Sequence, residues 1–347
     1  MNSQIAAILT MDGVATGAIY VLIALGFVLI FAVTRIIFVP FGDITAFTAL
    51  TLADLEAKRL PGTASMIAAL ALVAALMEVA ALLRSGGASR IPRALLYYLA
   101  LPLVPAAVVW ATAGIMLPAP LRIALTLMLI LPLAPLLDRI VFRPIADASV
   151  LLLLIVSVAL HFALVGMGLL FFGPEGVRTQ SLIDFSTDIA GTPVSGETLL
   201  IVGSAAVFSF LLFLFFNYTL TGKALHATAM NRTGARLMGI RPRQSGTIAF
   251  LLGSLLAAVS GVLIAPVNTI FYDSGFLIGL KAFVGAIIGG LVSFPVTAIG
   301  SVFVGMLASF AAFQSSPFTE VIVFSILIPV LLWRSYSFVH HEEEDEE

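Results

Sequence analysis

Long apolar segments alternate with short polar ones along the whole chain, and this alternation predicts its architecture. Most apolar segments reach the length of about 20 residues that an α-helix needs to cross the hydrocarbon core of a bilayer. The stretch 280–313 is interrupted by Pro295 and by the pair Gly289 and Gly290, so a short helix is predicted at 280–291. Full spans are predicted at residues 13–31, 36–55, 64–83, 94–117, 121–137, 149–172, 199–218, 246–266, 296–313 and 318–333. The pattern therefore predicts an all-α, polytopic transmembrane helix bundle of about 9–11 spans.

The composition excludes a soluble protein. Of the 347 residues, 61% are hydrophobic and only 10% are charged, whereas a soluble domain carries roughly 25% charged residues. The chain has no cysteine, which excludes disulfides, thiolate nucleophiles and Cys-ligated metals. Residues 1–4 contain no Lys or Arg, whereas a secretory signal begins with a cationic region. The first apolar segment is therefore predicted to be a retained span.

The distribution of Lys and Arg predicts the orientation in the membrane, because these residues favour short cytoplasmic loops. If the loop 219–245 is placed inside, 12 of the 17 Lys and Arg residues lie inside and 5 lie outside. The inside set is Arg35, Arg84, Arg90, Arg93, Arg139, Arg143, Lys223, Arg232, Arg236, Arg241, Arg243 and Arg334. We therefore expect a multi-pass protein of the inner (plasma) membrane with its N-terminus outside and its C-terminus cytoplasmic. Residues 338–347 would then form a solvated acidic tail on the inside.

The start of the second predicted span is a candidate for the solute path. Asp43 follows Pro40 and Gly42 there. Pro and Gly inside a span free backbone groups, which membrane proteins tolerate where the backbone lines a cavity. Residues 39–45 are therefore predicted to border a pathway, and a simple helix kink is the equally open alternative.

Other chemistry within the predicted spans is sparse. His161 is the one histidine within a span; an ionisable residue there is a functional candidate, although a packing histidine is the favoured interpretation. Glu78 is expected to pair with Arg84 at the membrane interface. The sequence has no Walker A motif, no HExxH and no metal-ligand spacing within a span, so no enzymatic activity, cofactor or metal is predicted.

The most informative polar segment is 221–243, which reads TGKALHATAMNRTGARLMGIRPR. It predicts two short helices, with Thr221 capping the first and Asn231 capping the second. Gly239 suits the position just after the second helix, and Pro242 follows as a stop. The second helix mixes apolar and basic residues, which is typical of a docking surface for a protein or for lipid headgroups.

This segment resembles the cytoplasmic EAA-type loop of permease subunits in ABC importers. The similarity is strongest to the LivH-type family, which imports branched-chain amino acids. Segments 17–31, 138–145 and 279–301 also resemble that family. The matching loop positions are Gly222, Lys223, Ala224, Ala235, Arg236, Leu237, Met238, Gly239 and Ile240, and the resemblance implies that they and Asn231 form the ATPase-coupling loop, 219–245.

The chain departs from the family pattern in two places. Residues 61–118 look like an insertion of two extra helices. The family's Asn-Phe-Ala-His-Gly-Glu segment is replaced by Phe38, Val39, Pro40, Phe41, Gly42 and Asp43. This replacement leaves urea, short amides and other amino acids open as substrates. We predict a translocation path that includes Pro40, Gly42, Asp43, Lys281, Gly289 and Gly290.

The resemblance implies that residues 1–347 form one permease domain of an ABC importer for branched-chain or related amino acids. It also implies the following partners: a second permease subunit (LivM-like or another copy), two cytoplasmic ATPase subunits, an extracytoplasmic solute-binding protein and the lipid bilayer. No nucleic acid is expected. Permeases for urea, short amides, sugars or nucleosides remain alternatives. A stand-alone secondary transporter is another, although so few charges in the spans disfavour ion coupling.

Overall fold

The computed structural model describes residues 3–146, 148–189, 192–325, 328–329 and 332, and most of them are helical. Among these described residues, eight helices are long and apolar enough to cross a membrane. They are Gln4–Thr34, Gly62–Arg84, Ile91–Ala111, Ala119–Ile145, Val150–Phe172, Gly196–Tyr218, Pro242–Ile264 and Phe294–Gln314. The predicted class, an all-α polytopic transmembrane bundle, is confirmed. The predicted span 318–333 lies partly outside the described residues, and the acidic tail 338–347 lies wholly outside them.

The helices and strands follow one another with few long connections. A two-stranded antiparallel hairpin pairs Ser186 with Ser195. The α-helices are α1 (Ser3–Thr34), α2 (Phe41–Glu56), α3 (Gly62–Arg84), α4 (Ile91–Leu95), α5 (Leu101–Ala111), α6 (Ala119–Ile130), α7 (Leu133–Leu137), α8 (Val150–Phe172), α9 (Gly196–Tyr218), α10 (Leu220–Met230), α11 (Arg232–Leu237), α12 (Pro242–Ile264), α13 (Gly275–Ile288) and α14 (Phe294–Gln314). The strands are β1 (Ser186–Ile189) and β2 (Thr192–Ser195), and π-helical turns lie at Leu96–Ala100 and Asp138–Phe142.

Two helices are too short to cross a bilayer by themselves. The predicted span 36–55 is wrong at its start, because α1 ends at Thr34 and α2 begins only at Phe41. Arg35 has a positive φ of 62°, and Pro40 disfavours helical backbone in the residue before it. At 1.5 Å per residue, the 16 residues of α2 cover about 24 Å of a core that is about 30 Å thick. The helix α13 has 14 residues and is short as predicted.

The described chain divides into two compact units. Unit 1 comprises 1–28, 183–210 and 280–347, and unit 2 comprises 29–182 and 211–279. Within unit 1, α1 and α14 approach through small residues: a Cβ atom added to Gly305 would overlap the backbone of Gly17. Such close backbone contact is what holds helices together in lipid, where no hydrophobic effect drives them to associate.

Unit 2 contains the larger buried core. The rings of Phe38, Phe142 and Phe250 form an aromatic cluster, with Phe38 and Phe250 centroids 5.2 Å apart. The predicted extra block 61–118 holds two spans, α3 and the helical run Ile91–Ala111. Both spans contribute to one buried cluster with α6, whose members include Ile67, Ala71, Ala106, Val109, Leu125 and Leu129. That the block is an insertion relative to the family stays a prediction.

The contact between α2 and α12 gives a stability prediction. A Cβ atom on Gly261 would overlap the carbonyl of Thr45 and the side chain of Thr48, whereas a Cβ atom on Gly166 in α8 meets nothing within 4 Å. We expect Gly261→Ala to lower the free energy of unfolding by about 1–3 kcal/mol through overpacking. The control Gly166→Ala should be neutral or stabilising, because Ala favours helix. Thermal unfolding in detergent measures both, and equal midpoints would contradict the tight packing.

Candidate functional site

Basic residues of unit 2 gather at one end of it. The guanidinium of Arg35 donates to the carbonyl of Ala229 at 3.5 Å, and that of Arg143 donates to the hydroxyl of Thr247 at 2.7 Å. The first contact joins the end of α1 to α10, and the second joins the segment 138–145 to the start of α12. A Cβ atom on Gly246 would lie 3.5 Å from the side chain of Thr34, so the end of α1 also lies beside the start of α12. We call this the basic end of unit 2. It groups residues that the sequence predicted to share one side of the membrane, and which side is cytoplasmic stays a prediction.

The far end of α12 lies at the opposite end of unit 2. There the Nε of Arg178 donates to the carbonyl of Pro266 at 2.8 Å. Arg122 lies 3.9 Å from the carboxylate of Glu56 at the end of α2. The N–H of Gln180 donates to the same carboxylate at 3.3 Å. Arg122 and Arg178, which are among the five Lys and Arg residues predicted to lie outside, therefore also share one end.

The predicted coupling segment folds as two short helices, α10 and α11. The side chain of Asn231 accepts a hydrogen bond from the N–H of Gly234 at 2.8 Å, which confirms the cap of α11. Gly239 has a φ of 82°, which confirms the left-handed position after that helix. These local signals depend only on neighbouring residues, which is why the sequence could predict them.

Two details of this segment were predicted wrongly. Thr219, rather than Thr221, caps α10: its extended backbone lets its hydroxyl accept from the N–H of Gly222 at 2.9 Å. Pro242 begins α12 instead of stopping a helix. The fixed φ of proline suits the first helical position, where its missing N–H is not needed.

The coupling residues separate into an inner and an outer group. Gly222 and Ala235 are buried and hold the segment against its neighbours, and the hydroxyls of Thr228 and Ser245 tie α10 to α12 at 3.2 Å. Because Ala235 is buried, a bulky charge there would test folding more than docking. The outer group is Lys223, Asn231, Arg236, Leu237, Met238 and Gly239.

The outer group carries an apolar pair at its centre. Leu237 is 84% exposed and Met238 is 83% exposed, although both lie at the basic end, beside exposed Arg236. Large apolar side chains among basic ones, on a rigid pair of helices, form a surface that is suited to docking against another protein. We call Leu237 and Met238 the exposed pair.

A buried pair of ionisable residues lies inside unit 2. The Nδ1 of His161 and the Oδ2 of Asp43 are 2.8 Å apart, and the two residues are 5% and 1% exposed. His161 is at the middle of α8, and its ring stacks on Phe276 with centroids 4.9 Å apart. The other carboxylate oxygen, Oδ1, is buried and accepts no hydrogen bond from the described residues. It lies 2.6 Å from the place that a Cβ atom on Gly275 would occupy.

The break between α1 and α2 positions this pair. The N–H of Val39 donates to the hydroxyl of Ser157 at 2.8 Å. Ser157 and His161 are four residues apart and therefore share one face of α8. Gly42 lets α2 approach the backbone of Gly275 so closely that any Cβ atom would overlap its carbonyl. The sequence identified both Asp43 and His161 as candidates but did not predict that they meet.

The predicted path residues fall in both units. Pro40, Gly42 and Asp43 belong to unit 2, whereas Lys281, Gly289 and Gly290 belong to unit 1. Within unit 1, the Nζ of Lys281 donates to the carboxylate of Glu320 at 2.8 Å. Gly289 lies against Thr297, and Gly290 has a φ of 69° at the turn after α13. Lys281 is therefore neutralised by an ion pair.

The expected pairing of Glu78 with Arg84 is wrong. Glu78 instead accepts from the Nε of Arg139 at 2.5 Å. Residues six positions apart point to different sides of a helix, since only spacings of three or four place side chains together. Arg139 lies in the π-helical turn Asp138–Phe142. No local sequence pattern shows that this turn packs beside α3.

These features together define a class. Multiple membrane-spanning helices, a buried pair of ionisable residues beside a helix break and an exposed two-helix segment are features of a membrane transport permease. Among the described residues, no group of three or more His, Cys, Asp or Glu side chains could hold a metal ion.

The family follows from comparison with known proteins. Residues 9–332 match the model of the branched-chain amino acid transport system permease component, and the chain belongs to that family. Members of this family are transporters, and the chain is a multi-pass membrane protein. No solved structure matches the chain significantly.

Three curated relatives illustrate the similarity. The high-affinity branched-chain amino acid transport system permease protein LivH of Salmonella typhimurium is 29% identical over 203 residues, which are 56% of this chain. LivH of Escherichia coli is 28% identical over 204 residues, 56% of this chain. BraD of Pseudomonas aeruginosa is 28% identical over 204 residues, 57% of this chain. In each case the chain spans 66% of the relative's length.

The buried pair gives a test that separates function from packing. Asp43→Ala should destabilise the protein by about 1–3 kcal/mol, because it leaves a buried histidine without its partner. The double variant Asp43→Leu/His161→Phe replaces both partners by apolar groups and should recover most of that stability. We expect solute uptake to be lost in both variants. Full uptake by a stable double variant would show that the pair only packs.

Proposed function

We propose that this chain is one transmembrane subunit of an ABC importer that moves branched-chain or related amino acids inward across the inner membrane. Separate ATPase subunits would drive the movement. The observation that carries the proposal is the exposed pair, Leu237 and Met238, on two capped helices at the basic end. A permease that worked alone would have no need to hold apolar side chains out on such a surface.

The coupling mechanism rests on how α10 and α11 are held. Capped helices move as rigid pieces, and the Thr228–Ser245 contact joins α10 to α12. Closure of two ATPase subunits would push on the exposed pair, and α12 would carry that displacement into unit 2. The chain itself contributes no residue to ATP hydrolysis in this mechanism.

Within unit 2 the proposed path residues are Pro40, Gly42 and Asp43 beside the helix break, and within unit 1 they are Lys281, Gly289 and Gly290. Irregular backbone at membrane depth is tolerated where it lines a cavity or is buried in protein. The names of the relatives support branched-chain amino acids as the substrate class. Urea, short amides and sugars are the alternative substrates, since the segment 38–43 departs from the family pattern.

The partners of the proposed importer are a second permease subunit, LivM-like or another copy, and an extracytoplasmic solute-binding protein. The binding protein would dock at the end of unit 2 that is opposite to the basic end. There Val177 and Ile270 exchange backbone hydrogen bonds of 2.9 Å, which fixes two connecting segments together. Within unit 2, residues 173–182 and 271–276 would contribute to this surface, and residues 183–197 of the same predicted outside loop belong to unit 1.

A second candidate function is a stand-alone secondary transporter, and the buried Asp43–His161 pair is the observation that favours it. Paired ionisable residues inside a membrane mark proton relays in several transporters. This candidate predicts uptake that is driven by a proton gradient without ATP. It gives no role to the exposed pair.

The docking surface can be tested with a matched control. Leu237→Asp/Met238→Asp places two charges in an apolar contact and should abolish co-purification of ATPase subunits and solute uptake. Leu60→Asp, which changes an exposed leucine in the turn between α2 and α3, far from α10 and α11 along the chain, should leave ATPase co-purification unchanged. If the double variant still recovered the ATPases and transported normally, the docking proposal would be wrong.

The whole assembly can be tested by gentle detergent extraction of the tagged chain from its native membrane. We expect an ATPase pair and a second permease to co-purify. Reconstituted into vesicles with the binding protein, the assembly should take up labelled leucine when ATP is supplied, in preference to urea or ribose. Recovery of the chain alone, with uptake that follows a proton gradient, would instead establish the secondary transporter.

A further inference from the structure

Arg143 joins three separate parts of unit 2. Its Nε donates to the carboxylate of Asp138 at 2.8 Å, its Nη1 to the hydroxyl of Tyr98 at 2.7 Å, and its Nη2 to the hydroxyl of Thr247 at 2.7 Å. Every nitrogen of the guanidinium therefore has a partner. The planar fork of arginine holds three such partners in a fixed arrangement, which a lysine cannot do.

One of these contacts reaches toward α10 and α11, which we call the coupling helices. The hydroxyl of Thr247 accepts from Arg143 and donates to the carbonyl of Arg243 at 2.9 Å. Arg243 lies in the first turn of α12, the helix that follows α11 along the chain. Two residues before Thr247, Ser245 contacts Thr228 of α10 at 3.2 Å. Arg143 is thus connected, through the hydroxyl of Thr247, to the start of α12, and the start of α12 contacts α10, one of the two helices on which the ATPases would push.

The opposite contact reaches the block 62–111. Tyr98 belongs to this block, and a second ion pair, Glu78 with Arg139, holds the other helix of the block to the same segment. Both helices of the block are therefore fixed to the residues 138–143 by charged hydrogen bonds, which are roughly twice as strong as neutral ones.

The local backbone at these contacts is unusual. Tyr98 lies in the π-helical turn Leu96–Ala100, and Asp138 and Arg139 lie in the π-helical turn Asp138–Phe142. The π-helix is a rare conformation that occurs mostly as single turns at functional sites. In the described part of the chain, both π-helical turns supply partners of this one network.

We propose that Arg143 is a positioning residue that braces the coupling end of α12 against the helix pair 62–111. The helix pair would then stay fixed while α10 and α11 move. A displacement of α10 and α11 would therefore shift α12 along with them, because the contact with the helix pair prevents α12 from tilting. This role rests on the proposed coupling to ATPases. It also gives the block 62–111 a function in coupling.

The test uses the complete assembly, with its ATPase subunits and binding protein, reconstituted into vesicles. The measured quantity is the ratio of solute taken up to ATP hydrolysed. Tyr98→Phe removes one hydroxyl acceptor, and Tyr97→Phe is its matched control, because Tyr97 is 60% exposed and adjacent in sequence. We expect the ratio to fall at least about tenfold in Tyr98→Phe, as for the loss of one hydrogen bond to a charged group. Tyr97→Phe should keep the unaltered ratio.

Two further variants distinguish positioning from stability. Thr247→Val should lower the ratio as Tyr98→Phe does, and Arg143→Lys should lower it further, because it keeps the charge and loses the fork. ATPase co-purification should be unchanged in Tyr98→Phe, and the assembly should stay folded at the assay temperature although the lost hydrogen bond lowers its thermal unfolding midpoint by a few degrees. Ratios equal to the Tyr97→Phe ratio in all three variants, or a fall in the ratio that is matched by a loss of folded assembly, would overturn the inference. Failure of the unaltered assembly to couple uptake to ATP would overturn the proposed function itself.

Discussion

The structure depends on how the chain satisfies its backbone where the first helix stops. In hydrocarbon an unpaired N–H or carbonyl costs several kcal/mol, so irregular backbone must be enclosed by protein. Residues 36–40 are enclosed in this way: the N–H of Val39 donates to Ser157 on α8, and the N–H of Ile36 donates to the hydroxyl of Thr34. The ring of Phe38 fills the space between α7–α8 and α12 through its contacts with Phe142 and Phe250. The break therefore forces α2, α8 and α12 into contact, and Asp43 meets His161 as a consequence.

Charged residues in unit 2 are used in two different ways. At the basic end, Glu78, Asp138, Arg139 and Arg143 form a network close to the coupling helices, where side chains can still reach water. In the interior there is the Asp43–His161 pair, with one carboxylate oxygen left without a partner among the described residues. A buried ion pair contributes little net stability, since apolar residues of the same size often serve as well. The fold therefore has little need of an ionisable pair at the middle of α8, which supports the proposed role of the pair in the solute path.

The sequence predicted those features that depend on composition or on near neighbours. The helices α3, α8 and α14 begin within two residues of their predicted starts, because apolar length alone defines a span. The cap at Asn231 and the turn at Gly239 were predicted from short-range rules. The pairs Asp43–His161 and Glu78–Arg139 join residues 118 and 61 positions apart, and no local pattern carries that information. The start of α2 was predicted wrongly because residues 36–40 are apolar enough to extend a span, yet Arg35 and Pro40 break the helix.

The helix α12 connects the two places to which the proposed function assigns a role in transport. Near its start, Ser245 and Thr247 contact α10 and Arg143. Further along, Gly253 lies against Phe41, and Gly261 lies against Thr45 and Thr48, so closely that no Cβ atom would fit without a shift. Interfaces packed at this density transmit a displacement instead of absorbing it, because no free volume is available for side chains to yield into. A movement imposed at the coupling end of α12 would therefore reach α2, and with it Asp43 beside His161. The same glycines that let α2 and α12 pack in lipid would thus make α12 an effective link between the coupling helices and the buried pair.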